Sequence, residues 1–144
     1  MYEDVQKSGW KTALEGKVHQ DKSGYYVEPC IIDNPPEDSR IVTEEPFGPI
    51  VPLLKWSDEE DVIARANASN TGLGASVWSK DLVKAEKIAR ELSAGSVWVN
   101  SHFEVAPNIP FGGHRESGFG TEWGITGLQE FMNPRSLWVF KNVF

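Results

Sequence analysis

One cysteine, Cys30, stands in the 144-residue sequence, so no internal disulfide can form and a reducing compartment is expected. The three histidines, His19, His102 and His114, show no ligand spacing with one another or with Cys30, and no metal site is expected. Basic residues are the minority. Fourteen Lys and Arg against 21 Asp and Glu leave a net charge of −7, which argues against nucleic acid or an anionic membrane as principal partner. Long apolar runs are missing too: Val51-Pro52-Leu53-Leu54 is far too short to span a bilayer. The N-terminus reads Met1-Tyr2-Glu3-Asp4, with no apolar signal core, so a cytoplasmic location is expected. No Gly-x-Ser-x-Gly elbow occurs, which leaves a serine hydrolase without support. Gly72-Leu73-Gly74-Ala75-Ser76-Val77 begins like a dinucleotide fingerprint. It lacks the third glycine and precedes a strand, so it reads as a tight helix-to-strand turn.

What is present is globular. Hydrophobic residues make up 40% and charged residues 24%, with 6 Trp, 3 Tyr and 7 Phe, which is too apolar and aromatic for a disordered chain. Residues up to about Pro36 are broken by glycine and proline too often for a long helix. Tyr25-Tyr26-Val27 and Cys30-Ile31-Ile32 predict a short extended layer or hairpin there.

From Ile50 onward strands and helices alternate. Ile50–Leu54 reads as a strand that Pro52 confines to an edge or a strand start. Ser57 ahead of Asp58-Glu59-Glu60 predicts a capping box, opening a helix with Val62, Ile63 and Ala66 inward and an end near Asn70–Gly72. Ala75–Trp78 is the next strand. A helix beginning at Ser79-Lys80-Asp81 then turns Leu82, Ala85, Ile88, Ala89 and Leu92 inward and finishes on Gly95. Ser96–Asn100 is a third strand. This order predicts an α/β layer with parallel pairing, with ligands expected at the loops after Trp56, Trp78 and Asn100. Residues 101–121 form a long loop, a short helix lies near 123–131, and Ser136–Phe140 reads as a strand lacking a partner edge.

Two loops carry the chemistry. In Glu44-Glu45-Pro46-Phe47-Gly48-Pro49 a carboxylate pair that could accept from a ribose diol abuts an aromatic able to wall a flat ring. In Pro110-Phe111-Gly112-Gly113-His114-Arg115-Glu116-Ser117-Gly118 the glycines permit close backbone approach. Taken alone, either loop is better explained as a structural turn than as a site.

Their order and spacing say more. Gly24–Pro29, Glu44–Pro49, Ala66-Asn67, Gly72–Val77, Gly95–Asn100, Pro110–Gly113, Ser117-Gly118 and Gly124–Leu128 together resemble the C-terminal part of the aldehyde dehydrogenase superfamily. The resemblance implies a partial three-layer catalytic domain over residues 1–133, with parallel strands and flanking helices, and an oligomerisation strand over 134–144. It implies that Glu45 holds the nicotinamide ribose with Phe47 packed nearby. Phe111 would line the aldehyde site, Ser101, Phe103 and Val105 would shape specificity, and Glu122 would belong to a proton path. NAD or NADP is the implied cofactor, an aldehyde the implied substrate, and a second copy of the chain the implied partner of the last strand. Pro46 and His114-Arg115 depart from the commoner residues of the family at those places.

The same resemblance exposes an absence. Family members are much longer, and their catalytic cysteine, general-base glutamate and oxyanion-hole asparagine would lie upstream of Met1. Aldehyde oxidation by this route needs an activated thiolate. Cys30 sits where the family has an ordinary strand residue and reads as a small core residue. The chain is therefore expected to be an inactive fragment of an aldehyde-oxidising enzyme. A non-enzymatic scaffold retaining the fold is the alternative, though a pure scaffold has no need of Glu45 and Phe111.

Overall fold

The computed structural model describes residues 1–21 and 23–141. The chain divides into two compact units, Met1–Val62 and Ile63–Phe144.

The first unit opens with a helix, α1 (Tyr2–Ser8), stopped by Gly9 in the left-handed conformation at φ 64°. Glu3 and Asp4 in its first turn and Lys7 in its last suit the helix dipole. Strand β1 (Thr12–Leu14) pairs antiparallel with β4 (Cys30–Asp33), which pairs parallel with β5 (Ile50–Leu53), giving the order β1-β4-β5. Pro52 lies on the edge strand β5, opposite Ile32, where its missing N–H is tolerated. The two runs expected as an extended layer or hairpin are both strands but do not pair with each other: β3 (Tyr26–Val27) pairs antiparallel with β2 (Val18–His19), and Cys30–Asp33 is β4. His19 Nε2 lies 2.6 Å from Glu28 Oε1 and clamps the base of the β2–β3 pair. The crossover from β4 to β5 contains α2 (Arg40–Thr43). Val5, Cys30, Ile32, Ile41 and Ile50 form the core, with Met1, Tyr2, Trp10 and Val42 packed around it. Cys30 is buried there, among apolar side chains.

Helix α3 (Glu59–Asn67) begins one residue later than the capping box predicts. The cap is Asp58, whose carboxylate accepts from the Asp61 backbone N–H at 2.8 Å, a stronger acceptor than the Ser57 hydroxyl. The helix also ends sooner, at Asn67, and Ala66 is exposed rather than inward.

In the second unit, β7 (Gly74–Val77) and β8 (Ser96–Val99) are parallel, joined by α4 (Leu82–Glu91), as the strand–helix–strand pattern predicts. Asp81 caps α4 by accepting from Lys84 N–H at 3.0 Å. Ala85 is fully buried where α4 packs on both strands. Leu82, expected inward, is exposed: a two-stranded sheet is too narrow to cover the whole apolar stripe of a ten-residue helix. Of the three predicted strands, β7 and β8 pair with each other, and β5 pairs parallel with β4 in the first unit.

The long loop is pinned rather than free. Strand β9 (His114–Arg115) pairs antiparallel with β6 (Thr71–Gly72), and Phe111 forms an isolated antiparallel bridge with Glu122. Helix α5 (Gly124–Glu130) follows. Ser136–Phe140 makes no strand pairing among the described residues, and Leu137, Trp138, Val139 and Phe140 are each 73–80% exposed. Residues 142–144 of the expected terminal element lie outside the described residues. No helix among the described residues is long and apolar enough to cross a membrane.

Candidate functional site

In the second unit, β8 delivers the chain into the loop that carries Ser101, Phe103 and Val105. Asn100 closes the strand at φ 54°. Its side-chain amide donates to the Ser79 carbonyl and accepts from the Ser79 N–H, both at 2.8 Å, tying the loop after β8 to the loop after β7. Two more hydrogen bonds fold the segment back. Trp98 Nε1 donates to the Glu104 carbonyl at 2.8 Å, and Ser76 Oγ and His102 Nδ1 share a hydrogen bond of 2.7 Å. Between these anchors Phe103 holds φ 56°, a conformation bulky residues rarely adopt without outside support.

That backbone brings Phe103 to Phe111. Their ring centroids are 6.1 Å apart at an interplanar angle of 86°, an edge-to-face contact. Phe111 in turn packs on Trp123 at 5.6 Å, and Phe103 on Trp98 and His102 at 6.4 and 6.3 Å. The Phe111–Glu122 bridge sets Phe111 beside the start of α5 and closes the segment between them, which contains most of the second loop. Gly95 explains why the loop can lie so close to β8: the Gly112 carbonyl occupies the place a Cβ on Gly95 would take. Gly95 is therefore a packing glycine. The residue that caps α4 is Leu92, in an extended conformation.

Of the residues predicted from sequence, Phe103, Phe111 and Glu122 are thus brought together. Glu122 joins through its backbone, while its side chain is exposed. Ser101 is half-buried beside Asn100. Val105 lines a shallow cleft of about 490 Å³ with Trp98, Ile109 and Pro110. His102, Trp98 and Trp123 belong to the aromatic cluster but went unread in the sequence. Trp98 and Asn100 lie two residues apart on the emerging strand, the one signal that could have marked Trp98; Trp123 joins only through the Phe111 bridge.

In the first unit, Glu44 and Glu45 have different surroundings. Glu44 accepts from Arg40 Nε at 2.8 Å across one helical turn, and this hydrogen bond raises the Arg40 pKa. Glu45 is exposed and has no hydrogen-bond or ion-pair partner among the described residues. Phe47 is 96% exposed, and a Cβ on Gly48 would meet nothing within 4 Å. An exposed carboxylate can accept hydrogen bonds from the donors of a ribose diol, and an exposed ring can flank a flat one. These residue types are compatible with a nicotinamide nucleotide. Among the described residues, no group of three or more His, Cys, Asp or Glu stands together as a metal site.

Comparison with known proteins bears on the chain as a whole. The model of the aldehyde dehydrogenase family matches residues 1–137. The chain is 44% identical over 115 residues to a phenylacetaldehyde dehydrogenase of Pseudomonas fluorescens, covering 79% of this chain and 23% of that protein. It is 39% identical over 135 residues to a betaine aldehyde dehydrogenase of Bacillus subtilis, covering 92% of this chain and 28% of that one. It superposes on an aldehyde dehydrogenase of Bacillus cereus, solved as an NAD+ complex, with a TM-score of 0.89 at 36% identity, over 98% of this chain and 28% of that one. The chain spans less than a third of the length of the curated relatives it matches. With a family match over nearly all its residues, the chain belongs to the aldehyde dehydrogenase family.

Proposed function

We propose that this chain is the C-terminal part of an aldehyde dehydrogenase that oxidises an aldehyde to a carboxylic acid with NAD or NADP, and that it is inactive by itself. The observation that carries the reading is the Phe103–Phe111 contact: two residues assigned to one substrate wall, eight apart in sequence, meet edge to face. Glu45 would accept hydrogen bonds from the nicotinamide ribose while Phe47 flanks it. When bound, NAD or NADP accepts the hydride lost by the aldehyde. Phe111 would form one wall of the aldehyde site, Ser101, Phe103 and Val105 would tune which aldehyde enters, and Glu122 would pass protons to solvent. Residues 1–133 would form the partial catalytic domain, and 134–144 would pair with a second copy of the chain, covering the exposed Leu137–Phe140 surface. A cytoplasmic location fits the one buried, unpaired cysteine. The relatives are named for different aldehydes, so they leave the substrate of this protein open.

The test uses the full-length polypeptide this reading requires, assayed for aldehyde-dependent cofactor reduction. Glu45→Gln is expected to raise KM for the nucleotide, and Phe111→Ala to raise KM for the aldehyde, each with the other KM little changed. Variants whose two KM values both stay at the parent level would contradict these assignments.

A further inference from the structure

We propose that the aldehyde taken at this site carries an aromatic ring, selected by the aromatic cluster of Trp98, His102, Phe103, Phe111 and Trp123. The inference rests on the reading of Phe103 and Phe111 as the substrate wall and adds the chemical class that wall selects. Successive ring centroids lie 5.5 Å (Trp98–His102), 6.3 Å (His102–Phe103), 6.1 Å (Phe103–Phe111) and 5.6 Å (Phe111–Trp123) apart. From Phe103 the series runs on through Phe111 to Trp123, so one more ring can extend the same packing. Phe103 is 61% exposed and Trp123 39% exposed in this chain, so the cluster by itself does not close off either ring.

The wall is also built before any ligand arrives. Phe103 is held at φ 56° between the Ser76–His102 and Trp98–Glu104 hydrogen bonds, and Phe111 is fixed by its bridge to Glu122. A fixed ring surface discriminates by shape. A planar aryl group meets it without loss of internal freedom, whereas a flexible alkyl chain must give up rotamers to do so. Each well-placed ring–ring contact favours an aryl group over equal apolar area by about 2- to 12-fold. The geometry suits an aryl group better than a quaternary ammonium, because a cation needs several ring faces converging on one point. Here Trp98–His102 and Phe103–Phe111 meet edge to face at 69° and 86°, spending faces on one another.

The experiment compares kcat/KM for phenylacetaldehyde, octanal and betaine aldehyde in the full-length enzyme and in its Phe103→Leu and Trp123→Leu variants. The proposal predicts a preference for phenylacetaldehyde of about ten-fold or more over both competitors, reduced about three-fold or more in each variant. Equal or better use of octanal would overturn the proposal while leaving the proposed function standing. Preference for betaine aldehyde would overturn it in favour of a cationic substrate. No turnover of phenylacetaldehyde beside turnover of another aldehyde would overturn this inference alone, and no turnover of any aldehyde in a broad panel would overturn the underlying function and this inference with it.

Discussion

Phe111 and Glu122 exchange two backbone hydrogen bonds of 2.8 Å, so the loop between them, which includes Pro-Phe-Gly-Gly's two glycines and β9, is closed at its base. The pairing uses only main-chain atoms of Glu122 and leaves its carboxylate free for other work. The two roles are therefore separable by mutation. Glu122→Pro, which removes the N–H that donates to the Phe111 carbonyl, is expected to lower stability by about 1 kcal/mol or more. Glu122→Gln keeps the bridge and is expected to stay within about 0.5 kcal/mol of the parent. Urea midpoints of the two variants check this.

Gly95 makes a second, sharper prediction. Because the Gly112 carbonyl stands where a Cβ would go, Gly95→Ala forces the loop off β8 and is expected to cost about 1–3 kcal/mol. Gly48→Ala, with open space around it, is the control and should lie within about 0.5 kcal/mol. Thermal midpoints of the two variants give the comparison.

Cys30 is 3% exposed, in the core with Ile32, Ile41 and Ile50. Its thiol should react with a disulfide reagent only as the protein opens, so the modification rate should rise steeply across the denaturant transition. Rapid modification of the folded chain would contradict its assignment as a core residue.

Lys11 Nζ lies 2.6 Å from Asp33 Oδ2, with Lys55 Nζ 3.8 Å from the other carboxylate oxygen. The Lys11 hydrogen bond is the leading cause that holds the Asp33 pKa below its ordinary value of 3.8. With the folded value depressed, the pair's contribution is complete above the ordinary value and disappears as pH falls through the folded one. Acid titration of stability should therefore show a shallower loss in Asp33→Asn than in the parent, over the range below the ordinary value. The pair is exposed, so the difference should be small and should shrink with salt.

Much of the second unit was legible because its signals are local. Asp81 ahead of an apolar stripe, the β-prone run at Val97-Trp98-Val99 and the glycines between them fix β7, α4 and β8 without reference to anything distant. The first unit was harder. Helix α1 is only seven residues long, and its best signals were the acids at Glu3 and Asp4 and the αL stop at Gly9. The pairing of β5 with β4 rather than β7 is a tertiary choice that period and propensity do not encode. At the site, Glu45, Phe47, Phe103 and Phe111 were named from motif resemblance, while the partners that hold Phe103 were not. Ser76 reaches His102 across 26 residues, and no spacing rule announces such a bond.

Large apolar side chains stand open along the chain, among them Phe47, Phe119 and Phe131 and the run Leu137–Phe140. Exposed apolar surface on this scale drives association. The isolated chain should elute as dimers or larger species, with Trp138→Lys shifting the distribution toward monomer. Light scattering that found only monodisperse monomer would contradict this expectation.

The proposed function gives this chain cofactor and substrate contacts but no competent nucleophile. Aldehyde-dependent reduction of NAD+ and NADP+ by the mass-verified chain alone, followed by the absorbance of the reduced nicotinamide, tests it most directly. The account predicts no turnover with any aldehyde. Turnover that vanished in Cys30→Ser would contradict it, since the buried thiol would then be the missing nucleophile.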